Sequence, residues 1–429
     1  MPPARQPAYA WYVVAVLTLA NVSAYVDRQI LTLLVRPIKR DLALSDSEVS
    51  LLGGLSFALF YTLLGFPIAR LADQKSRRAI IAAGVAVWSV MTALCGAARN
   101  FTQLLLARVG VGVGEAALSP PAYSLIADYF PRERLGTAIS VYTMGVYLGV
   151  GLAQLIGGAV IAAVGGEEFW RLPLLGDVRP WQVAFLVVGL PGMVIALLMF
   201  SVREPRRNAP VKDVVSVREV VNYLTTNVRT VVPHHVGAAL IALVNYGYGF
   251  WLPTFFERTH GWTASQAGYL LGIANLTFGI AGVSLAGRLA DKWQERGVAD
   301  AKLRVSLIAA LGLLLCDAAT PLMPTGTLAA IWIFPLSFFA SAPFGVAAAA
   351  VQEMVPPRMR AQASAVYLFV ISLLGLAAGP TAVALATDYL FRSEDLVRYS
   401  MVVVAILGLT PAAVLLGKAL APYRALVTR

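Results

Sequence analysis

The stretch ARLADQKSRR, residues 69–78, recurs as GRLADKWQER at residues 287–296. Each copy runs through Arg-Leu-Ala-Asp into a basic segment, and the two aspartates, Asp73 and Asp291, are 218 positions apart. Further along, FPRERLGTA at 130–138 matches PPRMRAQAS at 356–364, setting Pro131 against Pro357 and Arg134 against Arg360, 226 apart. Gly145, Gly149, Gly157 and Gly158 then correspond in kind to Gly375, Gly379 and Pro380. Three landmarks repeated in one order indicate a chain built from a duplicated unit.

The apolar runs around these landmarks say what the unit is. The chain has 429 residues, 58% hydrophobic and 13% charged, with a mean hydropathy of +0.72. A soluble protein would carry about a quarter charged residues. The apolar excess suits helices whose surroundings are hydrocarbon. About 20 apolar residues cross a bilayer, and twelve such spans are predicted. The first six lie near 11–34, 48–70, 79–98, 103–127, 134–164 and 181–203; the second six lie near 230–256, 266–290, 305–323, 327–352, 361–390 and 398–420. The expected fold is therefore an all-α integral membrane protein of twelve transmembrane helices in two pseudo-symmetric six-helix bundles, residues 1–203 and 230–429. Residues 204–229, opening with the polar, Pro-interrupted EPRRNAPVKDVVSVRE, form the expected cytoplasmic linker.

Charge orients the chain. With the N-terminus inside, 23 of the 34 Lys and Arg fall in inner segments and 9 in outer loops, while Arg28 and Arg108 lie within spans. This asymmetry places both termini in the cytoplasm of a multi-pass protein of the cell or inner membrane. The formal charge of +11 is thus a topology signal, not a nucleic-acid patch. The first apolar run is too long for a signal peptide and contains Asp27 and Arg28, so a retained helix is expected. Cys95 and Cys316 sit inside apolar runs and read as small core residues.

Several signals carry no chemistry. Gly110, Gly112 and Gly114 lack the strand that a dinucleotide fingerprint needs, and small residues mid-helix let helices approach closely. No phosphate-binding loop is present, and His234, His235 and His260 show no metal spacing. The first two histidines are expected as interfacial residues at the start of span 7. Asn100-Phe-Thr102 is a glycosylation sequon on an outer loop.

Charges inside spans are another matter, since each costs about 2.5–3.5 kcal/mol near a helix centre and so marks a functional site by default. Four lie in the first half: Asp27, Arg28, Arg108 and Glu115. Arg108 and Glu115, seven apart, share nearly one helix face, roughly 10 Å apart along the axis. Asp27 lies about 24 Å from the inner end of span 1, at a depth where it meets Arg108. Asp27 and Glu115 are the expected proton-coupling acids and Arg108 their switching partner. Arg28, with Tyr25, is expected to hold an anionic head group. The second half offers Asn245, Tyr246, Tyr248, Phe344 and Tyr367 as substrate-binding candidates. A cavity polar on one side and aromatic on the other suits an amphipathic substrate. Asp317 is expected to serve packing or a capped kink near Pro321, and Glu353 an ion pair at the inner end of span 10.

The stretch at 69–78 resembles the cytoplasmic signature of the major facilitator superfamily, G-x-x-x-D-R-x-G-R-R, with Ala69 and Ser76 where the signature has glycine. The resemblance implies a cytoplasmic gate built from Asp73, Arg77, Arg78, Arg134, Asp291 and Arg360. NVSAYVDRQIL at 21–31 and RVGVGVGEAALSPPAYSLIADYFPRERLGTA at 108–138 resemble more closely the spinster subgroup, whose members look like exporters of lysolipids and sphingoid lipids. That resemblance implies a non-enzymatic, proton-coupled secondary transporter of a lipid-like or lipophilic substrate, working by alternating access as a monomer. It would be driven by the proton gradient with no cofactor or metal, its partners being substrate, protons and membrane lipids. Organic-anion symporters of the superfamily, such as sugar-acid carriers, share the Tyr-x-Asp-Arg first helix and supply the alternative function. A receptor or scramblase-like facilitator is a third class.

Overall fold

The computed structural model describes residues 7–130, 132–173, 176–205, 216–356 and 359–428. Its helices include twelve that are long and apolar enough to cross a membrane. Spans 1 to 6 are Ala8–Leu33, Asp46–Ala72, Arg77–Cys95, Phe101–Tyr129, Ala138–Val164 and Pro180–Ser201. Spans 7 to 12 are Val228–His260, Ala264–Glu295, Ala301–Leu322, Gly326–Met354, Gln362–Phe391 and Glu394–Val427. Hydrocarbon offers no partner to a peptide group, so each span closes its own hydrogen bonds as helix. The chain forms two compact units, Met1–Ala209 with Thr263–Ile273, and Pro210–Trp262 with Ala274–Arg429.

In the first unit, span 1 lies along span 5 and span 3 along span 4. Glycines allow both approaches. A Cβ on Gly149 would stand 2.8 Å from that of Tyr25, and one on Gly114 would stand 2.6 Å from the backbone nitrogen of Trp88. Dispersion between closely approached backbones replaces the hydrophobic drive that lipid removes. In the second unit, span 7 lies along span 12, and span 9 packs against spans 10 and 12. Both cysteines are buried and free.

Several features depart from a reading of smooth spans and plain loops, four of which bear on the site and its surroundings. Span 2 breaks at Gly53 and Gly54, where Gly54 takes φ −104° and ψ −91°. Span 4 is two helices, Phe101–Glu115 and Ser119–Tyr129. Pro120 and Pro121 have no N–H to return to the carbonyls of Ala116 and Ala117, so the helix ends and restarts there. Spans 5 and 6 are joined through an antiparallel hairpin, Trp170–Leu172 with Gly176–Val178. Finally, the polar linker contains a helix, Val217–Thr226, capped by Ser216. Its Val220 and Leu224 are buried beside Met354 and Tyr423, and the Tyr223 hydroxyl donates to the Met354 carbonyl at 2.8 Å.

The duplication reaches into an ion pair that comparison of letters did not show. Arg77, at the start of span 3, pairs with Asp128 at the end of span 4, at 2.5 Å. Lys302, at the start of span 9, pairs with Glu353 at the end of span 10, at 2.6 Å. Both cation and acid are displaced by 225 positions. A third span joins each pair: Glu204, just past span 6, accepts from Arg77 at 2.8 Å, and Tyr423 of span 12 donates to Glu353 at 2.6 Å. Arg replaces Lys and Asp replaces Glu between the copies, which hid the repeat.

These pairs revise the expected gate. Arg77 is buried and spent inside its own unit, and Arg78 gives its side chain to the Val202 carbonyl at 3.2 Å. Arg134 and Asp291 are exposed, and Arg360 is exposed with its Nε on the Gln352 carbonyl at 2.9 Å. The side chain of Asp73, and Pro131 and Pro357, lie outside the described residues.

Glu204 also caps span 3, accepting from the Ser76 hydroxyl and the Arg78 amide, each at 2.9 Å. Burial works against its ionised form, but the Arg78 amide, Arg77 and Ser76 outweigh it and hold the carboxyl below the usual range. A depressed folded value means stabilisation that is complete above the ordinary glutamate value of about 4.3 and is lost as pH falls through the lower folded one. The thermal midpoint in detergent should therefore fall more steeply with acid for the wild type than for Glu204→Gln. Parallel curves would remove Glu204 from the clasp.

Candidate functional site

The four charges predicted inside the first unit come together, but their pairing differs from the expected one. Asp27 and Arg108 are completely buried and Glu115 is 2% exposed, while the Arg28 side chain retains 13%. Arg28 Nη2 donates to Glu115 Oε2. Its guanidinium lies 4.3 Å from the ring centre of Phe57, 4.9 Å from Tyr25 and 5.7 Å from Tyr61. Aromatic faces attract a cation, so Arg28 is held by one carboxylate and a cage of rings. Phe57 and Tyr61 stack at 5.6 Å with 17° between their planes.

Among the described residues, Arg108 makes no ion pair with either acid's side chain. Its Nε donates to the Leu52 carbonyl and its Nη1 to the backbone carbonyl of Asp27, each at 3.2 Å. The expected carboxylate pair between Asp27 and Arg108 is therefore not formed. The local chain explains why. Leu52 stands just before the break in span 2, which places a carbonyl beside Arg108. Gly112 then lets Phe57 against span 4, since a Cβ there would meet the Phe57 carbonyl oxygen at 2.8 Å. Glu115 ends the first helix of span 4, at the break set by the two prolines.

The cluster keeps unused capacity. Among the described residues, both carboxylate oxygens of Asp27, Glu115 Oε1, Arg28 Nε, Arg108 Nη2 and the Trp88 indole N–H are buried without a hydrogen bond of good geometry, although the Trp88 indole faces Asp27. Buried polar groups are nearly always satisfied, and an unmade bond costs about 1–3 kcal/mol.

The second-unit candidates divide. Asn245 donates to the Ala340 carbonyl at 3.0 Å. Phe344 is 40% exposed, and Tyr246 packs at the edge of the core that contains Tyr367. Tyr248 is buried with its hydroxyl on the Asp317 carbonyl at 2.5 Å, so it serves the fold. Pro321 has no N–H for that carbonyl, and Tyr248 supplies the missing donor. His234 and His235 are not surface residues: both are buried, 3.3 Å apart between their Nδ1 atoms, with Tyr367 packed on both rings. Sequence reasoning missed Phe57, Tyr61, Trp88 and Leu52. Aromatic and aliphatic residues in a span carry no signal in one dimension, and only the charges beside them distinguish these.

A family model described as Major Facilitator Superfamily matches residues 17–380. An MFS-type efflux pump of Mycolicibacterium smegmatis is 31% identical over 395 residues, covering 91% of this chain and 87% of that protein. The sphingosine-1-phosphate transporter SPNS2 of Danio rerio is 25% identical over 408 residues, covering 88% of this chain and 76% of that protein. Among solved structures, a bacterial homolog of the human lysosomal transporter spinster, in an inward-facing and unoccupied conformation, superposes with a TM-score of 0.77. It is 28% identical, and the match covers 99% of this chain and 98% of that one.

Proposed function

The chain belongs to the major facilitator superfamily of transporters, and from that premise we propose that it moves an amphipathic, lipid-like or lipophilic substrate by alternating access, coupled to protons bound at Asp27 and Glu115. The supporting observation is the half-open Arg28–Glu115 pair beneath three aromatic rings, next to an Asp27 carboxyl with no hydrogen bond of good geometry. Protonation of Glu115 would release Arg28, which then takes an anionic head group in its place. Tyr25, Phe57 and Tyr61 would hold the guanidinium while it changes partner. Arg108, fixed by two backbone carbonyls, sets the field at Asp27 in either state. Likeness to an efflux pump and to a lipid transporter favours this substrate class. In the second unit Asn245, Tyr246, Phe344 and Tyr367 remain the substrate-facing candidates.

The same reading assigns residues 1–203 and 230–429 to two bundles joined by the linker 204–229. It also assigns both termini to the cytoplasm and the monomer as the working state. Arg77 and Arg78 act on gating through Glu204 and the ends of spans 3, 4 and 6.

The test is flux of a labelled lysolipid in liposomes under an imposed pH gradient, with Asp27→Asn run beside the wild type. Gradient-dependent flux that disappears in the variant is the expected result. Undiminished flux in Asp27→Asn would sink the coupling assignment. Saturable flux of short carboxylates in place of the lysolipid would move the protein to the organic-anion symporters, with Arg28 as the carboxylate clamp.

A further inference from the structure

Asp317 of span 9 is completely buried, and neither carboxylate oxygen has a hydrogen-bond partner. The groups around it offer no counter-charge. Its titratable neighbours are Cys316 on its own helix and Tyr248 from span 7, whose hydroxyl is spent on the Asp317 carbonyl. Span 10 carries one ionisable residue, Glu353, at its far end and paired there with Lys302. The charges of span 8, Arg288, Asp291, Lys292 and Glu295, fall in its last turns. On span 12, Lys418 and Arg424 lie in the closing part, and Arg398, near the start, donates to the Tyr399 hydroxyl at 2.8 Å. Arg258 of span 7 is taken by Glu394 at 3.1 Å. Among the described residues, then, no cation reaches the carboxyl.

A carboxylate removed from water without a cation or a donor is far too costly to remain charged, and such a group meets that cost by binding a proton. Packing alone does not account for an acid here. An aliphatic side chain would fill the same space without unmade hydrogen bonds, and the kink at Pro321 is already served by Tyr248. The depth resembles that of Asp27, although the 225-residue repeat sets Asp317 against Thr92 of span 3. Asp27 stands six residues before the end of span 1 and Asp317 five before the end of span 9, so they lie about 9 Å and about 7.5 Å in from their spans' second ends. In both units the acid's backbone carbonyl is claimed, by Arg108 in one case and Tyr248 in the other, but Asp27 has the Trp88 indole and Arg108 nearby, whereas Asp317 has neither donor nor cation.

We propose that Asp317 is a further proton-binding site, in the second unit at a depth like that of Asp27 in the first, so that both units carry an exchangeable proton. This rests on the proton-coupled reading above, but its test does not depend on flux. The full chain in liposomes is treated with a hydrophobic carbodiimide, which adds covalently to protonated carboxyls in apolar surroundings, and the adducts are mapped by peptide mass. A stable adduct at Asp317 near neutral pH, fading as the pH is raised, is the expected result. Asp27→Asn should give the same labelling, and the infrared carbonyl band of a protonated carboxyl should be lost in part in Asp317→Asn. No adduct at any pH, or labelling that stays level from acid to alkaline buffer, overturns the proposal, because the group would then be ionised or permanently neutral. Intact proton-driven flux in Asp27→Asn would overturn the coupling role of Asp27 alone and leave this labelling result standing.

Discussion

Glu115→Ala is expected to be the most damaging single change at the charge cluster, lowering stability by about 3 kcal/mol and ending gradient-driven transport. Removing one member of a buried pair leaves the other charge unmatched, which costs about 3–5 kcal/mol when both are dry. The lower end applies because the Arg28 side chain retains 13% exposure and still lies over three rings. The cation is therefore cushioned but not neutralised. Arg28→Met should cost less than Glu115→Ala, since the carboxylate left behind can take up a proton and become neutral, whereas a guanidinium cannot lose one. The double variant should recover part of the stability, as hydrophobic replacement of a whole buried pair is often neutral or better. Thermal midpoints of the four proteins in detergent close this double-mutant cycle. Additive losses would mean the pair contributes nothing as a pair. Glu115→Gln separates stability from coupling, because it keeps the shape and a hydrogen-bonding oxygen but cannot exchange a proton. Its fold should survive while proton-driven flux is lost.

Gly114→Val should cost about 1–3 kcal/mol through overpacking, and more if the helices do not yield. A Cβ at this position would stand 2.6 Å from the Trp88 backbone nitrogen and 2.8 Å from the Gly84 carbonyl oxygen. Both are backbone atoms, so no side-chain rotation relieves the clash and spans 3 and 4 must separate. Trp88, whose indole faces the Asp27 region, would be carried away with span 3. Stability and flux should therefore fall together. Gly287→Ala is the control: nothing lies within 4 Å of its added methyl, and helix propensity alone predicts a gain of up to about 1 kcal/mol. Equal thermal midpoints for Gly114→Val and the wild type would show that this close approach does not hold spans 3 and 4 in place.

Much of this architecture was legible in one dimension, and the gaps have identifiable causes. The spans were visible because a bilayer imposes a length and a polarity on every crossing segment, whichever neighbour it meets. The breaks in spans 2 and 4 were signalled by Gly53-Gly54 and Pro120-Pro121, yet apolar runs pass straight through both, so hydropathy alone could not register them. The helix Val217–Thr226 was hidden for the opposite reason: it is short and polar, and its apolar face appears only when Val220 and Leu224 find Met354 and Tyr423. His234 and His235 read as interfacial because a histidine near a span's start usually is. Their burial depends on Tyr367, more than a hundred residues later.

The sequence by itself determined that the chain crosses a membrane twelve times, that its unit is duplicated, and which charges lie inside the hydrocarbon. These are properties of residue type and spacing, fixed before any helix meets another. Only the tertiary structure decided that Arg28 pairs with Glu115, that Arg108 takes two backbone carbonyls, and that Asp27 and Asp317 each keep a carboxyl with no hydrogen bond of good geometry. The reason is geometric. Adjacent residues on a helix point about 100° apart, so partner choice depends on the rotation of each span. That rotation is set by glycine contacts such as Gly112 on Phe57 and by breaks such as the one after Leu52, neither of which the order of charges along the chain contains.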